Sequence, residues 1–213
     1  MTLKHHPSDA ALAEFAAGTL DQARALVVAS HLHFCRQCRD AVRGFETLGG
    51  ALLEGIAPAA LAPDALQRIM GRLSIEEQVA LAPPAAPPSS GEFPDPLSQY
   101  AMGPWRWIGR GVQWRPVQIE SKEGVRTFML KAAPGTKLPR HRHTGTEWTC
   151  VFQGAFRHEL GRYGPGEFDE ADETIEHDPV VEEGNVCICL VALQGDIKFQ
   201  SWMGRLLQPF VRI

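Results

Sequence analysis

Residues 83–96 read PPAAPPSSGEFPDP, and six of those fourteen positions are proline. Proline fixes φ and lacks a backbone donor, so neither a helix nor a sheet can absorb this stretch, and it reads as a fairly stiff polyproline spacer. The spacer divides the 213 residues into two parts, each of a size that can hold its own core. The expected division is a helical domain over 1–82, the spacer over 83–100 and a second domain over 101–213.

Before the spacer, apolar residues recur at helical intervals. Pro7 and Ser8 open a segment over 7–17 that Gly18 stops, with Ala11, Leu12, Phe15 and Ala16 as its stripe. Thr19 with Gln22 reads as a capping box for a second helix near 20–33, carrying Leu20, Ala23, Leu26 and Val27. A third helix, about 36–53, carries Val42, Phe45, Leu48 and Leu52. Pro63 and Asp64 open a fourth, with Leu66, Ile69, Met70 and Leu73 on one face and a reach towards Leu81. So small a helical unit has little core to share. The fourth stripe therefore either packs on the first three helices or faces a partner.

The stretch HLHFCRQC places His31, Cys35 and Cys38 at spacings of four and three, on one face of a helical segment. Two thiolates and an imidazole suit Zn²⁺, which takes four tetrahedral S and N ligands. A fourth ligand must then come from elsewhere. His33 points about 200° away around a helix, whereas His5 or His6 can fold back over the pair. A redox pair at a helix start and two packed cysteines are the competing readings of C-x-x-C. Neither a following proline nor a βαβ context favours the redox reading.

This H-x3-C-x2-C run resembles the zinc-binding anti-sigma domain of bacterial transcription regulators, over about residues 1–80. In that family one zinc is bound by the run together with a histidine upstream. The resemblance implies His6, His31, Cys35 and Cys38 as ligands, His6 standing 25 residues before His31. It also implies that the fourth helical segment lies against a sigma factor.

After the spacer the pattern changes to short runs rich in Val, Ile, Phe and Trp, punctuated by Pro and Gly. Residues 126–133, 148–153, 185–193 and 197–202 read as strands, and all five tryptophans lie in this half. Such a pattern predicts an antiparallel sandwich or barrel. Cys187 and Cys189 sit in an apolar run and are expected to be buried packing residues. His141 and His143 are two apart and share a face of a strand, and Glu147 returns across a short turn. Imidazoles with one carboxylate suit Zn, Mn, Fe, Co or Ni.

The spacing G-x5-H-x-H-x3-E-x6-G, from Gly135 to Gly154, resembles the first motif of the cupin superfamily at every position. The second cupin motif is kept at Gly166 and His177 but departs at Asp172, Thr174 and Val181. The resemblance implies a jelly-roll barrel with His141, His143, Glu147 and His177 as metal ligands, zinc or one of Mn, Fe, Co and Ni. His158 has no motif role and is expected to be a plain sheet residue.

Residues 167–183 hold nine acidic side chains and no basic ones, and read as a solvated loop. Arg140 and Arg142 could pair with that stretch or take an anionic ligand. The net charge of −4 gives no electrostatic basis for direct nucleic-acid binding. MTLKHHPSD carries no apolar signal core, and no run is long enough to span a membrane. The expected location is the cytoplasm, where cysteines are free thiols or metal ligands. A barrel centre with an open metal position could serve an oxygenase or isomerase. That reading leaves residues 1–81 without a role. A zinc-clamped helical domain joined to a cupin resembles the ChrR family of anti-sigma factors. The resemblance implies a regulator, not an enzyme. It would inhibit an extracytoplasmic-function-type sigma factor through residues 1–82 and release it on exposure to singlet oxygen or related reactive oxygen species.

Overall fold

Ser8 opens α1 (Asp9–Ala17) by accepting the Ala11 amide, and Gly18 closes it in the left-handed conformation at φ 68°. These elements come from a computed structural model describing residues 3–76, 93, 95–120 and 124–199. Most of the proline-rich spacer, the reach of the fourth helix to Leu81 and the end of the last expected strand at Trp202 lie outside the described residues. The second helix, α2 (Gln22–Phe34), is capped by Asp21, whose carboxylate accepts the Arg24 amide at 3.0 Å. The expected Thr19–Gln22 box is therefore corrected. A charged acceptor directly before the helix outcompetes the hydroxyl, and Thr19 instead donates to the Glu14 carbonyl at 3.2 Å. The chain turns at Cys35, which ends α2 and caps α3 (Arg36–Glu54). α4 (Ala65–Glu76) follows.

The second half is β-rich, as expected: β1 (Arg106–Gly109), β2 (Val112–Pro116), β3 (Arg126–Ala132), β4 (His141–His143), β5 (Glu147–Gln153), β6 (Phe156–His158), β7 (Gly161–Tyr163), β8 (Phe168–Ala171), β9 (Glu176–His177), β10 (Val180–Val181), β11 (Cys187–Leu193) and β12 (Ile197–Phe199). A six-stranded antiparallel sheet runs β1-β2-β3-β11-β5-β8, and two three-stranded sheets run β10-β6-β7 and β12-β4-β9. Phe156, Tyr163 and Val181 of the small sheets pack against Phe128, Val151, Cys189 and Val191 of the large one, forming the barrel core. The acidic stretch 167–183 is not a solvated loop: it carries β8, β9 and β10, and Glu167 and Asp169 are buried because each has partners.

The large sheet is covered on both faces. Along β11, Cys187, Cys189, Val191 and Leu193 face the barrel core, while Leu190 and Ala192 join Trp148, Cys150 and Phe168 under the helices. Two-faced burial is why CICLVAL is continuously apolar and not alternating. Ala23, Leu26, Val27 and Val28 of α2 fill the layer between the helices and this sheet, and Phe93 and Leu97 extend it. The helical half and the barrel thus share one hydrophobic layer.

α3 leaves that layer early. Val42 is its last buried residue, and the chain from Glu46 to Asp64 is exposed throughout. On α4, Leu66, Ile69, Met70 and Leu73 are 71%, 56%, 55% and 54% exposed, on one face. No helix among the described residues is long and apolar enough to cross a membrane.

Candidate metal centres

The first centre forms where α2, α3 and the N-terminal segment meet. His31 lies in the last turn of α2, Cys35 at the bend and Cys38 in the first turn of α3. Pro7 and Ser8 then direct the preceding residue, His6, back over them. The four donor atoms lie within 4.8 Å of one another. Cys38 Sγ is 3.2 Å from His31 Nε2 and 3.3 Å from His6 Nδ1, and Cys35 Sγ is 3.4 Å from His6 Nδ1. A tetrahedral zinc with ordinary Zn–N and Zn–S lengths sets such pairs roughly 3.5 Å apart, so the donor set fits this ion. Of the two upstream histidines, His6 joins the group, while His5 lies against Tyr163, ring centroids 4.3 Å apart. His33 is exposed. The His31 ring donates from Nδ1 to the Gly166 carbonyl at 2.7 Å, which leaves the Nε2 lone pair for the ion. Burial pushes the metal-free His31 imidazole down to about 4 and the Cys38 thiol well up, Cys35 adding to the latter. The imidazole is thus neutral and ready to ligate, and metal entry must expel a thiol proton.

The second centre lies inside the barrel. β4 pairs with β9 so that His141 stands opposite His177, and alternation turns His141 and His143 inward while Arg142 is exposed. The donors of His141, His143 and His177 lie within 4.8 Å of one another. Nε2 of His177 is 3.1 Å from that of His141 and 3.2 Å from that of His143. Three imidazoles on a tetrahedral cation at ordinary Zn–N length stand roughly 3.3 Å apart. His141 donates from Nδ1 to the Pro139 carbonyl at 2.7 Å, so its Nε2 offers a lone pair. Burial lowers all three imidazoles, His143 to about 4 and His177 to about 3. The expected fourth ligand, Glu147, stands beside this triad, with its carboxylate 3.7 Å from His143 Nε2. Burial raises it to about 7. Arg140 pairs with Glu176 at 2.9 Å, which decides between the acidic stretch and an anionic ligand for that arginine.

His158 is not a plain sheet residue. Its buried Nε2 lies 3.0 Å from Asp169 Oδ2, and its ring centroid lies 5.1 Å from that of His177. His158, Asp169 and His177 form a further group able to hold a cation. No sequence motif marks His158 or Asp169; only the register that turns β6 and β8 inward brings them to the centre. A cavity of about 360 Å³ opens beside the triad, lined by His141, His177, Glu147 and Asp169 and by apolar residues including Phe128, Phe156, Cys187 and Cys189.

A family model described as the ChrR cupin-like domain matches residues 95–195. The anti-sigma-E factor ChrR of Cereibacter sphaeroides is 39% identical over 218 aligned residues that cover all of both chains. The chain belongs to the ChrR family of anti-sigma factors. Its fold is similar to that in the crystal structure of Rhodobacter sphaeroides SigE in complex with the anti-sigma ChrR, with 37% identity, a TM-score of 0.73 and coverage of 91% of this chain and 100% of the other. This membership is regulatory, and it sets aside the oxygenase or isomerase reading of the barrel.

Proposed function

We propose that the chain binds an extracytoplasmic-function-type sigma factor in the cytoplasm, holds it inactive, and releases it in response to singlet oxygen or related reactive oxygen species. The observation that carries this reading is the run of exposed apolar residues from Leu48 through Leu73, in a chain related along its full length to an anti-sigma factor. Apolar residues this numerous and this exposed mark an interaction surface. The partner-binding unit is residues 1–82, the spacer 83–100 and the barrel 101–213. His6, His31, Cys35 and Cys38 hold zinc, which fixes α3 to α2. His141, His143 and His177, with Glu147 completing the set, hold zinc or one of Mn, Fe, Co and Ni. A cation held there would tie together side chains of three strands, β4, β5 and β9, inside the barrel. Affinity capture from the native cell tests the partner: a sigma factor should be recovered with the chain, and its absence from a metal-replete complex rejects the reading.

The two ligand sets share no residue, so their effects should separate. Replacing His141 or His177 by Ala should leave the partner bound, because the barrel keeps its own apolar core. Release on oxidant should be lost. Swinging a complex from 99:1 bound to 1:99 takes about 5.5 kcal/mol, and a barrel without its cation has no such difference to deliver. Target-promoter activity, measured with and without the oxidant, checks this. A His141→Ala variant that is constitutively active, or that responds like the natural chain, removes the barrel centre as sensor.

A further inference from the structure

The helical metal site does not close within the helical half. The acceptor that orients His31 is the carbonyl of Gly166, 135 residues away in the barrel. Gly166 has φ +85°, and a Cβ there would stand 2.7 Å from Phe34 Cβ, so glycine lets this turn reach α2. The next residue, Glu167, accepts the Gly164 amide at 2.7 Å through one oxygen and the Lys4 amide at 3.0 Å through the other. It thereby ties the turn to the segment that carries His6. The Phe168 amide donates to the His5 carbonyl at 3.3 Å, and Glu170 accepts the Ser8 amide at 3.0 Å.

The same strand has a second face inside the barrel. Asp169, between Phe168 and Glu170, holds His158 at 3.0 Å. Four rings then run from one centre to the other. His5, adjacent to the ligand His6, lies 4.3 Å from Tyr163; Tyr163 stacks on His158 at 4.9 Å; and His158 lies 5.1 Å from His177.

We propose that the barrel segment Gly161–Glu170 is the outer coordination sphere of the helical metal site and the physical connection between the two centres. Its outward groups orient His31 and the segment that carries His6, and its inward Asp169 holds His158 of β6 against the ring of His177. This inference rests on the reading that His6, His31, Cys35 and Cys38 hold a metal. A change at the barrel centre then reaches the helical clamp through the ten residues Gly161–Glu170.

Cobalt loading of the full chain tests it, because a cobalt–thiolate charge-transfer band reports the cysteine site alone. Glu167→Ala should speed cobalt loss from that site to a chelator by about 10–100-fold, the usual scale of an outer-sphere effect. Glu167→Gln, which keeps one acceptor, should restore much of the natural rate. Asp169→Asn, altered only on the barrel face, should also speed thiolate-site loss, and it carries the test if Glu167→Ala does not fold. Natural rates in both the Glu167→Ala and Asp169→Asn chains overturn the proposal. A fast Glu167→Ala with a natural Asp169→Asn rate overturns the connection between centres. A natural chain that takes up cobalt with no thiolate band overturns the metal reading beneath it.

Discussion

Replacing Cys35 or Cys38 by Ser should leave the sigma factor active without any oxidant. Each thiolate is one of four donors, and losing one should weaken zinc by more than about a hundredfold, beyond the usual outer-sphere effect. The structural reason lies in how α3 is held. Only its N-terminal half, through Cys38, Val42 and the half-buried Ala41 and Phe45, touches the layer shared with the sheet. The helix has 19 residues and therefore runs about 28 Å, most of it exposed. Cys35, at the bend, has extended backbone with φ −106° and ψ 108°, so the angle between α2 and α3 is set at a single residue. Binding free energies of structural zinc reach about 10 kcal/mol, far above what Val42 and its neighbours contribute. Without the ion, α3 and the α4 that follows it lose their fixed direction. The barrel, α1 and α2 should persist, since Leu12, Leu26 and Val27 stay packed in the shared layer. The expected variant is thus a soluble chain with a folded barrel, one metal equivalent fewer and a constitutively active target promoter. Metal analysis and promoter activity measure this together. A Cys38→Ser chain that still represses fully would show that the clamp is not what presents the partner surface.

The local part of each donor group is legible in the sequence. His31, Cys35 and Cys38 lie within eight residues, and His141, His143 and Glu147 within seven, so spacing alone puts them on one surface. His6 and His177 were reachable only through family spacing, since nothing in the chemistry of a lone histidine selects it. What stayed hidden depends on tertiary register. His158 and Asp169 meet because β6 and β8 both turn a side chain inward, and a one-residue slip of either would send that residue outward. The Gly166 carbonyl meets His31 only once the helices dock on the sheet. A backbone acceptor leaves no residue signature at all. The spacer led to an expectation of two modules joined by a stiff connection, and composition alone does not show that α2 packs on β5 and β11. That contact is written only as apolar residues on both faces of β11, the one trace in CICLVAL of a sheet covered twice. The acidic stretch misled for a related reason. Counting its charges suggested solvent, but Glu167 and Asp169 are buried against specific donors.

Charging the exposed face of α4 should abolish partner binding while leaving the chain itself intact. Leu66, Ile69, Met70 and Leu73 recur at helical spacing, and each is more than half exposed. In an isolated chain such a stripe gains little from burial, so substitutions of Ile69 and Leu73 should alter stability by no more than about 0.5 kcal/mol. On a partner the same residues would be desolvated. Fully burying one aliphatic side chain is worth about 1.5–3 kcal/mol, and a carboxylate forced into that contact adds a desolvation cost. The double change Ile69→Glu with Leu73→Glu should therefore lower affinity for the sigma factor by more than about a thousandfold, which is roughly 4 kcal/mol. Neither residue lies near either donor set in the chain's order, so both metals should remain. The phenotype should match that of Cys38→Ser at the promoter but differ from it in metal content, which separates a lost surface from a lost clamp. Affinity measured with the purified sigma factor, alongside metal analysis, gives both readings. If the charged α4 binds like the natural helix, the partner does not dock there, and the exposed residues of α3 from Leu48 to Leu53 become the surface to change next.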